Sequence, residues 1–149
     1  MKFILVVFTL FSFQFSSAAL RGDWIGFGTW KFKGEDPGVN CSPMTMNWDE
    51  TKTLIALDHG LFDCDVVAMH LDRTEWTLKN SILFDVDNKQ VGSYDGFNFE
   101  VYMPSPNDKT TIHIRIHREA NHIDYQEIWF NKVEKIYVIE GRLFTKGNK

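Results

Sequence analysis

The chain has 149 residues, 22 of them aromatic, and a formal charge of −4, so one compact domain is expected and a tail or low-complexity protein is excluded. The acidic balance lacks the Lys/Arg footprint that nucleic acid requires, and no run of like charges offers a patch for a membrane surface. At the N-terminus, Lys2 precedes an apolar run from Phe3 to Phe13. Ser16-Ser17-Ala18-Ala19 follows, with small residues three and one before a cut after Ala19. This is the order of a secretory signal. The run is short for a bilayer span, and no cysteine stands at the cut to take a lipid. Residues 1–19 are therefore read as a leader and 20–149 as one soluble domain, exported to a periplasmic or extracellular space without stable membrane insertion. Removing the leader leaves 17 aromatics in 130 residues, still a high content for a domain that must bury them in one core.

Segments rich in Val, Ile, Phe, Trp and Thr recur along the domain, separated by turn residues at about 8–12 residue spacing. The expected strands are Asp23–Lys33, Cys41–Asp49, Thr53–His59, Thr74–Asn80, Ile82–Asp87, Gln90–Tyr94, Asn98–Met103, Thr110–Arg118, His122–Asn131 and Lys135–Lys146. Turn signals lie at Asp36-Pro37-Gly38, Asp49-Glu50-Thr51-Lys52, Asp87-Asn88-Lys89, Asp95-Gly96 and Pro104-Ser105-Pro106-Asn107-Asp108. Val66–Arg73 fits either a strand or one or two helical turns. No heptad, long helical stripe or internal repeat is present, so the fold class is all-β, a sandwich or a closed antiparallel barrel of about 8–10 strands. Cys41 and Cys64 are the only thiols, and in an exported chain such a pair means one disulfide. It would close a loop of about 24 residues, worth on the order of 3 kcal/mol in the chain-entropy model.

The last three strands fix their own register, because a one-residue slip exchanges the faces of a strand. With Ala120-Asn121 as a two-residue turn, Ile112, Ile114 and Ile116 face Trp129, Glu127 and Tyr125. Through the next turn, Trp129 meets Tyr137, Glu127 meets Ile139, Tyr125 meets Gly141 and Ile123 meets Leu143. The opposite face pairs His113, Arg115 and His117 with Ile128, Gln126 and Asp124, and then Asp124 with Arg142 and Gln126 with Glu140. One face is apolar with a single carboxylate and the other is mostly polar, the pattern of a meander with one wet side. The same parity places Trp24, Gly26, Gly28, Trp30 and Phe32 on one face of the first strand. Two glycines there imply either a sharply coiled strand or a ligand lying against the backbone. Met44, Met46, Trp48, Trp76, Leu78, Phe97, Phe99, Val101 and Met103 complete the expected inward set.

Gly22-Asp23-Trp24, opening the first strand, resembles the Gly-x-Trp signature of the lipocalins and related calycin barrels. The longer string through Gly26 and Gly28 is similar to the Gly-x-Trp-x-Gly-x-Gly opening of nitrobindin-like haem barrels. The resemblance implies a small antiparallel barrel and, in the second case, a late histidine as haem ligand, here His113, His117 or His122. The chain departs from lipocalins in ending on a strand-like segment rather than a helix. Arg142, the only late arginine, points outward in the register above rather than over Trp24.

His113 and His117 are four apart, which on a strand separates them by about 13 Å, too far for one ion, and both read as solvent-facing near Asp124. His59 with Asp58, Asp63 and Asp65 reads as a polar loop, and Asp85, Asp87 and Asn88 as a hairpin turn lacking the glycine and distant glutamate of a calcium loop. Neither a metal nor a cofactor is expected, apart from haem as the alternative that the second resemblance carries. Glu127 is the most informative residue, since an inward carboxylate must be hydrogen-bonded, protonated or in contact with a polar ligand atom. No nucleophile elbow, phosphate loop or dinucleotide fingerprint is present, and an enzyme is not expected. The expected function is binding of a small, mainly apolar molecule. Its candidate contacts are Trp30, Met44, Met46, Trp48, Phe97, Phe99, Met103, Tyr125, Glu127, Trp129 and Tyr137. A barrel packed solid that meets a protein partner through its surface is the alternative of another class.

Overall fold

The computed structural model describes residues 19–33, 35–105, 109–132 and 134–146. Residues 1–18 of the expected leader, turn residues 106–108 and the tail 147–149 lie outside them. The strands are β1 (Gly22–Phe32), β2 (Val39–Glu50), β3 (Leu54–Cys64), β4 (Val67–Leu71), β5 (Thr74–Lys79), β6 (Ile82–Phe84), β7 (Gln90–Tyr94), β8 (Asn98–Pro104), β9 (Thr111–Arg118), β10 (His122–Asn131) and β11 (Glu134–Thr145). The ambiguous segment is thus a strand, β4. It shares one register with β5 along β3, with Gly60 opposite Leu71 and Leu57 opposite Thr74, so the two form a single stave interrupted at Asp72-Arg73. Each stave pairs antiparallel with its chain neighbour, and β1 pairs with β11. The result is a ten-stave up-and-down barrel, the closed solution of the two that the sequence allows, and it is consistent with a calycin-like fold. Closure removes the free edges at which open sheets aggregate.

The meander register is the one read from alternation. Ile112, Ile114 and Ile116 stand opposite Trp129, Glu127 and Tyr125, and these continue to Tyr137, Ile139 and Gly141. Arg142 points outward, as expected, and clasps Asp124 with Nε and Nη2 at 2.7 and 3.0 Å. That guanidinium holds the Asp124 carboxyl below the usual carboxylate range. The hairpin turn is also as expected, with Asp85 Oδ1 accepting from the backbone N–H groups of Asp87 and Lys89.

Gly26 and Gly28 answer the choice posed by their strand face. A Cβ at Gly26 would lie 1.9 Å from the Arg142 carbonyl oxygen, and one at Gly28 would lie 2.0 Å from that of Glu140 and 2.5 Å from Met44 Sδ. Strand coiling and the Met44 thioether take the space, which favours the structural role. A register shift between Cys41 and Met44, at Ser42-Pro43, lets both Cys41 and Met44 turn inward, and proline is tolerated there because the ladder is already interrupted. Cys41 stands opposite Cys64 and is bonded to it inside the wall. Such a bond points to a non-reducing compartment. Among the described residues, no helix is long and apolar enough to cross a membrane.

The two ends of the barrel differ. At the end where β1 begins, Trp48 stacks on Trp76 with ring centroids 6.1 Å apart, and Phe99 packs its edge against both, at 5.4 and 5.1 Å. Leu20, 0% exposed, closes this end from below Trp24, whose indole N–H donates to the Leu20 carbonyl at 2.7 Å. At the other end, Trp30, Val39, Met69, Met103, Trp129 and Tyr137 are packed on the core yet remain only partly buried.

Three placements differ from expectation, the first being Asp58, His59 and Asp63, read as part of a polar loop but lying within β3. Phe97, expected inward with Phe99, is 54% exposed. Strand parity does not reach it, because β8 begins at Asn98, and Phe97 belongs to a turn in which Asp95 Oδ1 accepts its backbone N–H at 2.8 Å and that of Asn98 at 2.7 Å. His113 is on the outer face as expected but is not solvent-facing. At 7% exposure it lies under Tyr102, with ring centroids 4.0 Å apart, and its Nε2 is 2.7 Å from Glu100 Oε1. Equilibrium unfolding should separate the two phenylalanines: Phe97→Ser is expected to change stability by no more than about 0.5 kcal/mol, whereas Phe99→Ala should cost about 3–5 kcal/mol. Equal losses would contradict this placement.

Candidate functional site

The partly open end collects aromatic rings because β1, β10 and β11 bring alternate inward positions to one level. Trp30 lies edge-on to Tyr137 at 6.0 Å, and Tyr137 stacks on Trp129 at 4.8 Å with an interplanar angle of 28°. Phe32 closes the group, 4.5 Å from Trp30 and 5.9 Å from Tyr137. Offset and edge contacts of this kind add to the stabilisation from burial itself.

Beneath the rings lies Glu127, 6% exposed. Its oxygens accept from the Tyr125 hydroxyl and the Trp129 indole N–H, both on the same inward face of β10. Burial pushes its carboxyl above the usual range, while these two donors oppose the shift. The Tyr125 and Tyr137 hydroxyls are also pushed well up, first by burial and then by the nearby Glu127 charge. Glu127 is therefore a hydrogen-bonded carboxyl supporting the ring cluster. The Trp30 Nε1 N–H, by contrast, is buried and without a partner. A buried donor left unmade costs about 1–3 kcal/mol, and an acceptor delivered through this end would recover it. The Trp48 Nε1 is also unpaired, but it belongs to the closed ring group with Trp76 and Phe99.

The eleven expected contact residues thus fall into separate groups. Trp30, Trp129, Tyr137 and Met103 are at the open end, with Glu127 and Tyr125 below them. Met44 lies across Gly28 and Gly141, Met46 is buried on the inward face of β2, Trp48 and Phe99 meet at the closed end, and Phe97 is outside.

A concavity of about 1050 Å³ is lined mainly by outward side chains of the wall, among them Phe27, Asn98, Arg115, His117, Gln126 and Arg142, and is also bordered by Gly28, Phe99, Ile116, Tyr125 and Gly141 of the inward set. Its polar side chains largely pair with one another: Arg115 with Gln126, Gln126 Nε2 with Glu140 at 2.6 Å, and His117 Nδ1 with Asn98 at 2.8 Å. Sequence reasoning found this polar face but not its concave shape, which depends on the barrel's curvature rather than on any local signal.

Haem does not fit the residues present. His113, His117 and His122 point to the outer wall, where they meet Glu100, Asn98 and the Asp124/Phe144 pair. His59 and His70 are exposed. No histidine among the described residues reaches the interior, and the described residues hold no group of three or more His, Cys, Asp or Glu side chains placed for a metal ion. The chain matches no protein-family model and no curated protein sequence.

Proposed function

We propose that this is an exported barrel that binds a small, planar, mainly apolar molecule at its open end. The ligand packs against Trp30, Trp129 and Tyr137, and Met103 adapts to its outline. The single observation carrying this reading is the unpartnered, buried Trp30 indole N–H at an end whose rings are still partly exposed. That donor calls for a neutral acceptor such as a carbonyl, because an ionised acceptor would lose its hydration among these rings with no cationic side chain among them to pair with. Tryptophan fluorescence titration checks it: retinal should give saturable quenching and bind more tightly than retinoic acid. Trp30→Phe, which keeps a ring but removes the donor, should weaken retinal by roughly three- to tenfold, the worth of one neutral hydrogen bond. No saturable quenching by retinal would end the proposal.

A second reading, a solid barrel meeting a protein partner, is favoured by the outer concavity and by exposed Phe27 at its edge. It predicts that Phe27→Ser abolishes partner capture while Trp30→Phe leaves it intact.

A further inference from the structure

We infer that hydrolysis of the Ala19–Leu20 bond during export creates an α-ammonium group that Glu50 and Tyr94 are placed to receive, so that the new N-terminus locks the closed end of the barrel with an ion pair. The inference rests on the leader reading of residues 1–19 and is independent of ligand binding.

Segments that precede a first strand are usually exposed and frayed unless something ties them down. Here Leu20, two residues before β1, is completely buried. Its backbone nitrogen is 2.6 Å from Glu50 Oε2, and the Tyr94 hydroxyl donates to that same oxygen at 2.9 Å. One carboxylate at the end of β2 and one hydroxyl at the end of β7 thus converge on one backbone nitrogen. The other charged groups nearby are Arg118 from β9, which acts electrostatically on Tyr94, and Arg21, which is 3.7 Å from Asp49.

An amide offers Glu50 one neutral donor. An α-ammonium offers three donors and a full charge, and charge-assisted bonds are roughly twice as strong as neutral ones. The chemical step is ordinary hydrolysis by a leader-cleaving endopeptidase: one water is consumed, the C–N bond breaks, and the carboxylate departs on Ala19 while the amine stays on Leu20 and takes a proton. Position matters to within one residue. A cut after Ala18 would carry the charge about 3.5 Å further along the chain, and a cut after Leu20 would discard the side chain that closes the barrel.

The test is to express the full chain, with its own first 19 residues, in a secreting host and determine the intact mass of the exported protein. Its α-amine is then acetylated under native conditions at neutral pH. The mass should correspond to a chain beginning at Leu20. Its α-amine should react about tenfold more slowly than in Glu50→Gln, the change expected if the ion pair raises the amine's proton affinity by one pKa unit, with Tyr94→Phe between the two. The mass is read on the wild-type protein and stands even if Glu50→Gln fails to fold. A retained leader, a different first residue, or a wild-type α-amine as reactive as that of Tyr94→Phe would overturn the inference.

Discussion

Glu127→Ala is expected to destabilise the barrel by about 3 kcal/mol, and by more at acidic than at alkaline pH. The substitution orphans two buried donors, the Tyr125 hydroxyl and the Trp129 indole N–H, each worth about 1–3 kcal/mol when left unmade. It also opens a gap beneath the ring cluster. The pH dependence follows from linkage. Burial raises the Glu127 carboxyl above its ordinary range, so the folded state binds this proton more tightly than the unfolded chain does. Its stabilising contribution is complete below the unfolded titration range and is lost as pH rises through the folded one. The wild type should therefore lose stability across that window, and Glu127→Ala should not share the loss. Glu127→Gln, which keeps an acceptor and cannot ionise, should flatten the same pH profile at a much smaller cost. Denaturant midpoints of the three proteins between pH 4 and pH 8 check this. Parallel profiles for wild type and Glu127→Gln would show that the Glu127 carboxyl titrates in the folded barrel as it does in the unfolded chain, and would contradict the raised proton affinity.

Reduction of the Cys41–Cys64 bond should cost on the order of 3 kcal/mol, since it releases a closed loop of about 24 residues in the unfolded ensemble. For a domain of this size that corresponds to a fall in Tm of roughly 10 °C. Cys41→Ala combined with Cys64→Ala should behave as the reduced protein does, because both sulfur atoms face inward and alanine leaves no unpaired polar group. The barrel should still form, as the β2–β3 ladder continues from Met44 opposite Phe62 to Glu50 opposite Ile55. Calorimetry with and without reductant reads the shift, and an unchanged Tm would place the stabilisation elsewhere.

What the sequence made legible was whatever depends on period two. The register of β9, β10 and β11 followed from alternation alone, because a slip would have moved the inward isoleucines Ile112, Ile114, Ile116, Ile123 and Ile139 toward water and the charged set inside. Phe97 failed for the same reason in reverse: parity was carried through a turn whose Asp95 side chain re-aims the backbone. His113 looked solvent-facing because its cover, Tyr102, is set by the pairing of β8 with β9, which no single-strand pattern contains. The candidate site was half legible. Alternation marked Trp30 and Trp48 as equally inward, yet only one lies at the open end. The difference is made by Trp76 and Phe99, which pack on Trp48 across the barrel, while Leu20 is held nearby by Glu50 thirty residues away, and Glu50 in sequence is one more carboxylate in a turn.

The Trp30 indole N–H resonance in a ¹H–¹⁵N spectrum reports most directly on the central claim, that an open aromatic end with one unpaired donor receives a ligand. On addition of retinal this resonance should move downfield and saturate, as its proton gains an acceptor, while that of Trp48 at the closed end stays in place. A Trp30 resonance that never moves, or a shift shared equally by Trp30 and Trp48, would contradict the account.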